Sequence, residues 1–317
     1  MKKLINCLLM AGIIASTACN EPPVELLKTV QLNDFPSGSS LEIFNNQLIV
    51  IGDDATQIMV LDVDYNIKDS IMVDTSASRR IAKDIKPDYE SSTTINYKGT
   101  PTLVAFGSGS TSKRQNALLI PLPVSIQSSV TLIDISQIFQ RLIASGVQDV
   151  NIEGAATIHK NIILVNRANQ RQPENILIQF SKDDLEDMTN FQLRKCAIIL
   201  PNAGLNIGVS GLCYVPSTDV LLFTASTEDT QNSYDDGAIG DSYIGYIKNA
   251  SAIFNNDKIE VDSLINLSNQ IKEFKGQKIE SIAVQNVFGN QYMLHLVADN
   301  DDGSSNLFKV SMSINQE

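Results

Sequence analysis

Three glutamates recur in one phrase. Glu153 stands in NIEGAATI (151–158), Glu280 in KIESIAV (278–284) and Glu90 in DYESSTTI (88–95), each followed by a small residue and a largely apolar or β-branched run. The phrase carries serine instead of glutamate in GVSGLCYV (208–215), at Ser210, and a weaker copy, GSSLEIF (38–44), puts Ser39 there. If these are equivalent positions around an axis, Glu90, Glu153, Glu280, Ser39 and Ser210 form a ring. Three carboxylates brought together repel unless a cation or a proton lies between them. A hard cation such as Ca2+, which accepts roughly six to eight oxygens in flexible geometry, is the expected occupant, with Glu90, Glu153 and Glu280 as its ligands. The alternative is a ring that bonds backbone amides or water, because purely structural networks also collect carboxylates.

The loops expected on the same face add Asp53, Asp54, Asp299, Asp301 and Arg167, together with the acidic insertion 227–241 as a flap. Arg114 ends the GSGSTSKR loop nearby. Beside a bound cation, Arg114 and Arg167 are what a phosphate or acidic sugar would need. Arg79 and Arg80, in SRRIAKDIK (78–86), read as a solvated loop balancing the acidic rim. Sharper motifs fail. In DNDDGSSN (299–306) Gly303 falls one position early for a calcium-binding EF-hand loop and the closing glutamate is missing. GSGS (107–110) precedes an apolar strand rather than a helix, so it is no phosphate loop. The two histidines, His159 and His295, have neither zinc-spaced partners nor a nucleophile elbow, which excludes histidine-dependent catalysis.

The elements that must hold the ring are strands. Runs of four to nine residues rich in Val, Ile, Leu and Thr, separated by turn residues, follow every copy of the phrase. Each copy opens a unit of about four antiparallel strands, repeated at about 50 to 70 residues, the pattern of β-propeller blades. The fifth unit lacks its outer strand, and VELLKTVQL (24–32) has no other partner. The expectation is an all-β propeller of five four-stranded blades, closed by the N-terminal strand so that no edge is left open. Six blades is the alternative count, if an unusual repeat hides in 138–150, where QIFQRLIASG otherwise reads as a helical turn ended by Gly146. KIEVDSLI (258–265) is expected as the fourth blade's outer strand. Cys196 then lies on an outer strand and Cys213 on an inner one, too far apart for a disulfide, so two separate buried thiols are expected.

The chain is acidic, with a formal charge of −12 at pH 7. That balance repels nucleic acid and anionic headgroups. Lys2 and Lys3 followed by a short apolar run form a secretory signal over 1–18. Ser16-Thr17-Ala18-Cys19 resembles a bacterial lipobox, which implies lipidation of Cys19, a tether over 19–23 and one propeller domain over 24–317. Losing the two lysines with the signal takes the charge to −14. Asn20 does not resemble the inner-membrane retention signal, and the acidic surface-export signal is missing. The expectation is a monomer held by lipid to the outer membrane and facing the periplasm.

IEGAA and IESIA resemble the E-G-hydrophobic-A phrase of phytase-like propellers, whose channel carboxylates hold calcium. Only Glu153 matches it fully; Glu280 has serine in place of the glycine and Glu90 departs further, so the resemblance carries calcium to those three residues alone. The mature chain with its lipobox resembles an uncharacterised propeller lipoprotein family of Bacteroidota. Two functions follow. One is a non-catalytic module binding a small polar ligand, glycan or protein at the axial face. The other is a calcium-dependent hydrolase of phosphate esters or glycosides, with Glu153 and Glu280 holding metal or serving as acid and base.

Overall fold

In the second strand of each repeat the apolar residues do not alternate with polar ones; they run on. LIVI (48–51), IILV (162–165) and LLFTA (221–225) are buried along their whole length, which requires protein on both faces of the sheet. The computed structural model supplies it by standing five small sheets face to face around an axis. It describes residues 23–74, 78–201, 207–228, 239–300 and 303–315.

The N-terminal strand β1 (Val24–Leu32) is set aside from the first blade, which is β2 (Gly38–Phe44), β3 (Gln47–Gly52), β4 (Gln57–Asp62) and β5 (Ile67–Met72). The second blade is β6 (Tyr89–Tyr97), β7 (Thr100–Gly107), β8 (Asn116–Pro121) and β9 (Thr131–Asp134). After helix α1 (Ser136–Ala144) come β10 (Ile152–Ile158), β11 (Asn161–Asn166), β12 (Asn175–Ser181) and β13 (Arg194–Ile199) of the third. The fourth blade has β14 (Ile207–Val215), β15 (Val220–Glu228) and β16 (Ile239–Lys248), then β17 (Lys258–Glu260) intervenes before its outer strand β18 (Ser263–Asn266). The fifth is β19 (Ile279–Phe288), β20 (Gln291–Asp299) and β21 (Ser305–Ser313), completed by β1 pairing antiparallel with β21 from Val24↔Met312 to Leu32↔Ser305. Five blades and the N-terminal closure are therefore as the sequence implies.

The cores lie in the seams between blades. One cluster joins Ile49, Val60 and Ile71 of the first blade to Leu103 and Leu118 of the second. Another joins Leu48 and Val50 to Val297 and Leu307, across the seam where the ring closes. His295 sits in that closing seam with no solvent exposure. Its Nε2–H donates to Gln285 Oε1 at 3.1 Å, so Nδ1 accepts the Tyr65 hydroxyl at 2.8 Å. Burial lowers its pKa to about 3, and the ring stays neutral as a structural tie.

Two local expectations are corrected. Residues 138–150 hold no sixth blade: Ile138, Phe139 and Leu142 of α1 are fully buried in the seam between the second and third blades. Phe139 packs onto Gly109, where a Cβ would meet its ring at 2.2 Å. The stretch 258–265 is not one strand. It breaks at Val261–Asp262, and β17 crosses to pair in parallel with β13, giving the third blade a fifth strand. Asp262 accounts for the break, since its carboxylate accepts the Lys248 amide at 2.7 Å. Cys196 and Cys213 are free, as expected, with Cys196 fully buried and Cys213 only half-buried.

Removing residues 1–33 should expose the length of β21 as an open edge. The truncated chain is expected to elute from size exclusion as aggregate, where the parent elutes as a single species. A monodisperse truncated chain with the parent's cooperative melt would contradict the closure.

Candidate functional site

Each inner strand begins with an irregularity that the sequence conceals. The β2–β3 register skips at Ser39, β6–β7 at Glu90, β10–β11 at Glu153 and β19–β20 at Glu280, while β14–β15 skips over Ser210 and Gly211. All five equivalent positions are β-bulges. A bulge takes one residue out of the ladder and re-aims its side chain. Here the freed side chains reach across seams rather than lying on a blade face. Ser39 Oγ donates to Tyr89 O of the second blade at 2.6 Å, and Ser210 Oγ accepts from Arg167 Nη1 of the third at 3.1 Å.

The small residue after each bulge is required by packing. A Cβ on Gly154 would lie 2.3 Å from Ser210 O, and one on Gly211 would lie 2.6 Å from Ser281 Cα. In two of the three blades with serine at this position its hydroxyl ties neighbouring strands, Ser40 Oγ to Ser92 Oγ at 2.7 Å and Ser281 Oγ to the Leu41 amide at 3.1 Å.

The acids divide into two groups. In the first, Arg167 follows β11 and reaches Glu153 at 3.6 Å, Glu280 at 3.8 Å and Glu228 at 3.1 Å, so one guanidinium serves three blades. Gly208 lets it pass, since a Cβ there would lie 2.4 Å from Arg167 Nε. Lys278 adds a second cation, 2.9 Å from Glu280 and 3.6 Å from Glu228. Asn151 Nδ2 donates to Glu153 Oε1 at 2.6 Å. In the second group, carboxylate oxygens of Asp53, Asp88 and Glu90 lie within 4.8 Å of one another. Lys86 bridges Asp53 and Asp88, 2.7 Å from the latter, and Arg114 holds Asp88 at 2.7 Å. Glu90 and Glu153 still feel each other's charge across the mouth.

Burial dominates the titration. It raises Glu153 to about 7 against the opposing pull of Arg167, raises Asp53 to about 6 against Lys86, and lifts Glu90 well above the usual carboxylate range. Burial alone would lower Lys278, yet Glu280 and Glu228 hold its ammonium charged far above neutrality.

The structure therefore brings Glu153, Glu280, Ser210 and Arg167 into one network and gathers Glu90, Asp53 and Arg114 in another. Ser39 is consumed by a backbone bond. Asp299 lies on the same face, its charge felt by Arg80, which itself binds Asp54 at 2.7 Å. Arg79 pairs with Asp34 at the exposed rim. Cys19, Asp301 and residues 229–238 of the insertion lie outside the described residues. Sequence reasoning missed Asp88, Lys86, Glu228 and Lys278 as ring members. The signal for two of them was present: Asp88 and Lys278 both stand two residues before the bulged glutamate, as Asn151 does before Glu153.

With this geometry in view, comparison with known proteins gives the fold and a family. Residues 34–312 match the model of a family of unknown function (DUF6929), and the chain belongs to that family. A glutaminyl cyclase from Myxococcus xanthus superposes with TM-score 0.53 at 8% identity, over 92% of this chain and 97% of its own. A galactosidase of the GH43 class gives 0.51 at 9% identity over 88% of this chain and 59% of its own, and a tail fibre of Staphylococcus aureus phage P68 gives 0.50 at 10% over 92% and 53%. At such identities only the fold is shared. No curated protein matches the sequence.

Removing the central cation should leave Glu153 without a cationic partner and Glu280 and Glu228 to share Lys278. Arg167→Ala is expected to cost about 3–5 kcal/mol in denaturant unfolding, and an unchanged midpoint would contradict its bridging role. Because Asp53 and Glu153 have folded pKa values above their ordinary 3.8 and 4.5, their stabilisation is complete below those values and is lost as pH rises through about 6 and 7. The melting temperature is expected to climb as pH falls from 8 to 5, and less steeply in Glu153→Gln.

Proposed function

We propose that this member of DUF6929 is a non-catalytic binding module that takes a small polar ligand, sugar-like in its hydroxyl or amine donors, at the axial mouth. The observation that carries the reading is a set of acceptors without donors. Asp53 Oδ1 and Glu280 Oε2 are buried and have no hydrogen-bond partner among the described residues, Arg167 Nη1 standing 3.8 Å from the latter, and Ser91 Oγ is likewise without a hydrogen bond. Buried polar atoms left in this state carry a desolvation penalty that an incoming donor relieves. Carboxylates at the mouth also outnumber the cationic side chains, which favours donors and disfavours anions. A bacterial outer-membrane anchor through lipid on Cys19 would display this face to the periplasm.

The test is titration with neutral hexoses, the matching amino sugars and the matching uronic acids, followed by thermal shift and calorimetry. Amino and neutral sugars are expected to bind and uronic acids to bind least, with Asp53→Asn or Glu280→Gln weakening binding about tenfold. A melting temperature indifferent to the whole panel, or preference for uronic acids, would remove the proposal.

A second reading retains calcium. Its support is the Asp53, Asp88 and Glu90 group, an all-oxygen donor set of the kind a hard cation takes. Lys86 now serves two of these carboxylates and would have to withdraw. Glu153 and Glu280 belong on this reading to the Arg167 network, and a calcium-dependent hydrolase would have to work with that pair held by guanidinium. Equilibrium dialysis against Ca2+ is expected to show one ion lost in Glu90→Gln if calcium binds; no retention in the parent chain eliminates both the ion and the hydrolase.

A further inference from the structure

Below the charged mouth the axis widens into a cavity of about 370 Å³. It lies among the middles and far ends of the inner strands and reaches Pro216 in the β14–β15 hairpin, so it belongs to the opposite face from the bulges. Its walls mix polar groups with an apolar patch that includes Ala155, Leu212, Ile282 and Val284. Thr93 and Thr157 also line it, but their hydroxyls bond each other at 2.9 Å.

One group in this wall is out of keeping with the rest. Glu42, in the middle of β2, lines the cavity, and no hydrogen bond or ion pair to it occurs among the described residues. The titratable side chains that share the lining are Cys213 and Tyr214. The Cys213 thiol, pushed up to about 12 chiefly by burial and then by the Glu42 charge, stays protonated. The Tyr214 hydroxyl is directed away, donating to Asp219 at 3.1 Å. Neither supplies a cation. Glu42 is half-buried, and a carboxyl in this wall with no positive partner among the described residues is costly as an anion, so desolvation raises it to about 8. Lys278 and Arg167, which neutralise Glu153 and Glu280, have no counterpart here among the described residues.

We propose that this cavity is a second ligand site, distinct from the axial mouth, for a small organic amine whose ammonium pairs with Glu42 while its hydrocarbon body packs against Ala155, Leu212, Ile282 and Val284. The volume falls within the roughly 300–1,000 Å³ range of small-molecule pockets, and one charged group in an apolar wall is how such pockets set orientation. An ammonium brings the charge that the protein omits, and a short alkyl chain replaces water on the apolar lining. A carboxylate ligand brings no cation to the wall and would give up its own hydration there without a positive partner, so it is excluded.

Binding has a proton balance. With burial raising it to about 8, Glu42 is expected to hold its proton at pH 7 in the free protein. Pairing with an alkylammonium leaves Glu42 as the anion, and the proton goes to the buffer. The experiment is calorimetric titration of the full mature chain with n-hexylamine, n-hexanol and hexanoate at pH 7, each in two buffers of different ionisation enthalpy. Hexylamine is expected to bind at least tenfold tighter than hexanol, with close to one proton released, and hexanoate to give no signal. Glu42→Gln should abolish both the preference and the proton release, whereas Glu25→Gln on the exposed edge of β1 should change neither. Equal affinity for hexanol and hexylamine, hexylamine binding without proton release, or an undiminished preference in Glu42→Gln would each overturn the proposal. The proton count is read on the parent chain, so the test does not depend on the variant folding. Sugar binding at the mouth can fail without touching this result.

Discussion

Everything in this molecule follows from crowding at the axis. Five inner strands converge until a Cβ on Gly154 would lie 2.3 Å from Ser210 O and one on Gly211 would lie 2.6 Å from Ser281 Cα. Packing that close demands a small residue in each strand at the same height. It also turns the preceding residue out of the ladder as a bulge, so the fold produces a ring of outward-released side chains at the channel mouth. Three of these are glutamates, and glutamates placed together in a buried ring must be neutralised. The chain answers with Arg167, Lys278, Lys86 and Arg114, each drawn from a connection that the blade architecture already brings to that face.

The charge network in turn explains why the mouth is poised for a ligand. Arg167, Lys278 and Lys86 each serve more than one carboxylate, and some oxygens are left without a hydrogen bond among the described residues, Asp53 Oδ1 and Glu280 Oε2 among them. Protonation offers a partial remedy, and the raised values of Asp53, Glu90 and Glu153 show burial pressing toward it. Among the described residues the other end of the axis has no such cations, and Glu42 stands there without a charged partner. One channel thus has two chemically different ends.

Much of the architecture was legible because it repeats. A phrase that opens five units, each trailing strands, implies blades, and an orphan N-terminal strand beside an incomplete last unit implies closure. The ring positions were legible for the same reason. What was hidden is not periodic. The bulges could not be read from Glu153 or Ser210, because a register skip depends on the partner strand and the crowding of neighbouring blades. Glu228 was hidden because it gains meaning only when Arg167 crosses Gly208 from another blade. The strand break at Asp262 was missed because Lys258 to Ile265 alternates well enough as one strand, and only the bond from the Lys248 amide shows why it divides. Residues 138–150 were ambiguous in sequence until Phe139 found its place on Gly109 in the seam.

The claim that two of the bulged glutamates, Glu153 and Glu280, are joined through one guanidinium is open to a direct measurement. A double-mutant cycle of Arg167→Met and Glu280→Gln, read by denaturant unfolding, isolates their interaction from the separate costs of each change. The account predicts a coupling of about 1 kcal/mol or more, the second substitution costing far less once the first is made. Strictly additive effects would mean that residues 167 and 280 do not share a network, and the ring would lose its physical basis.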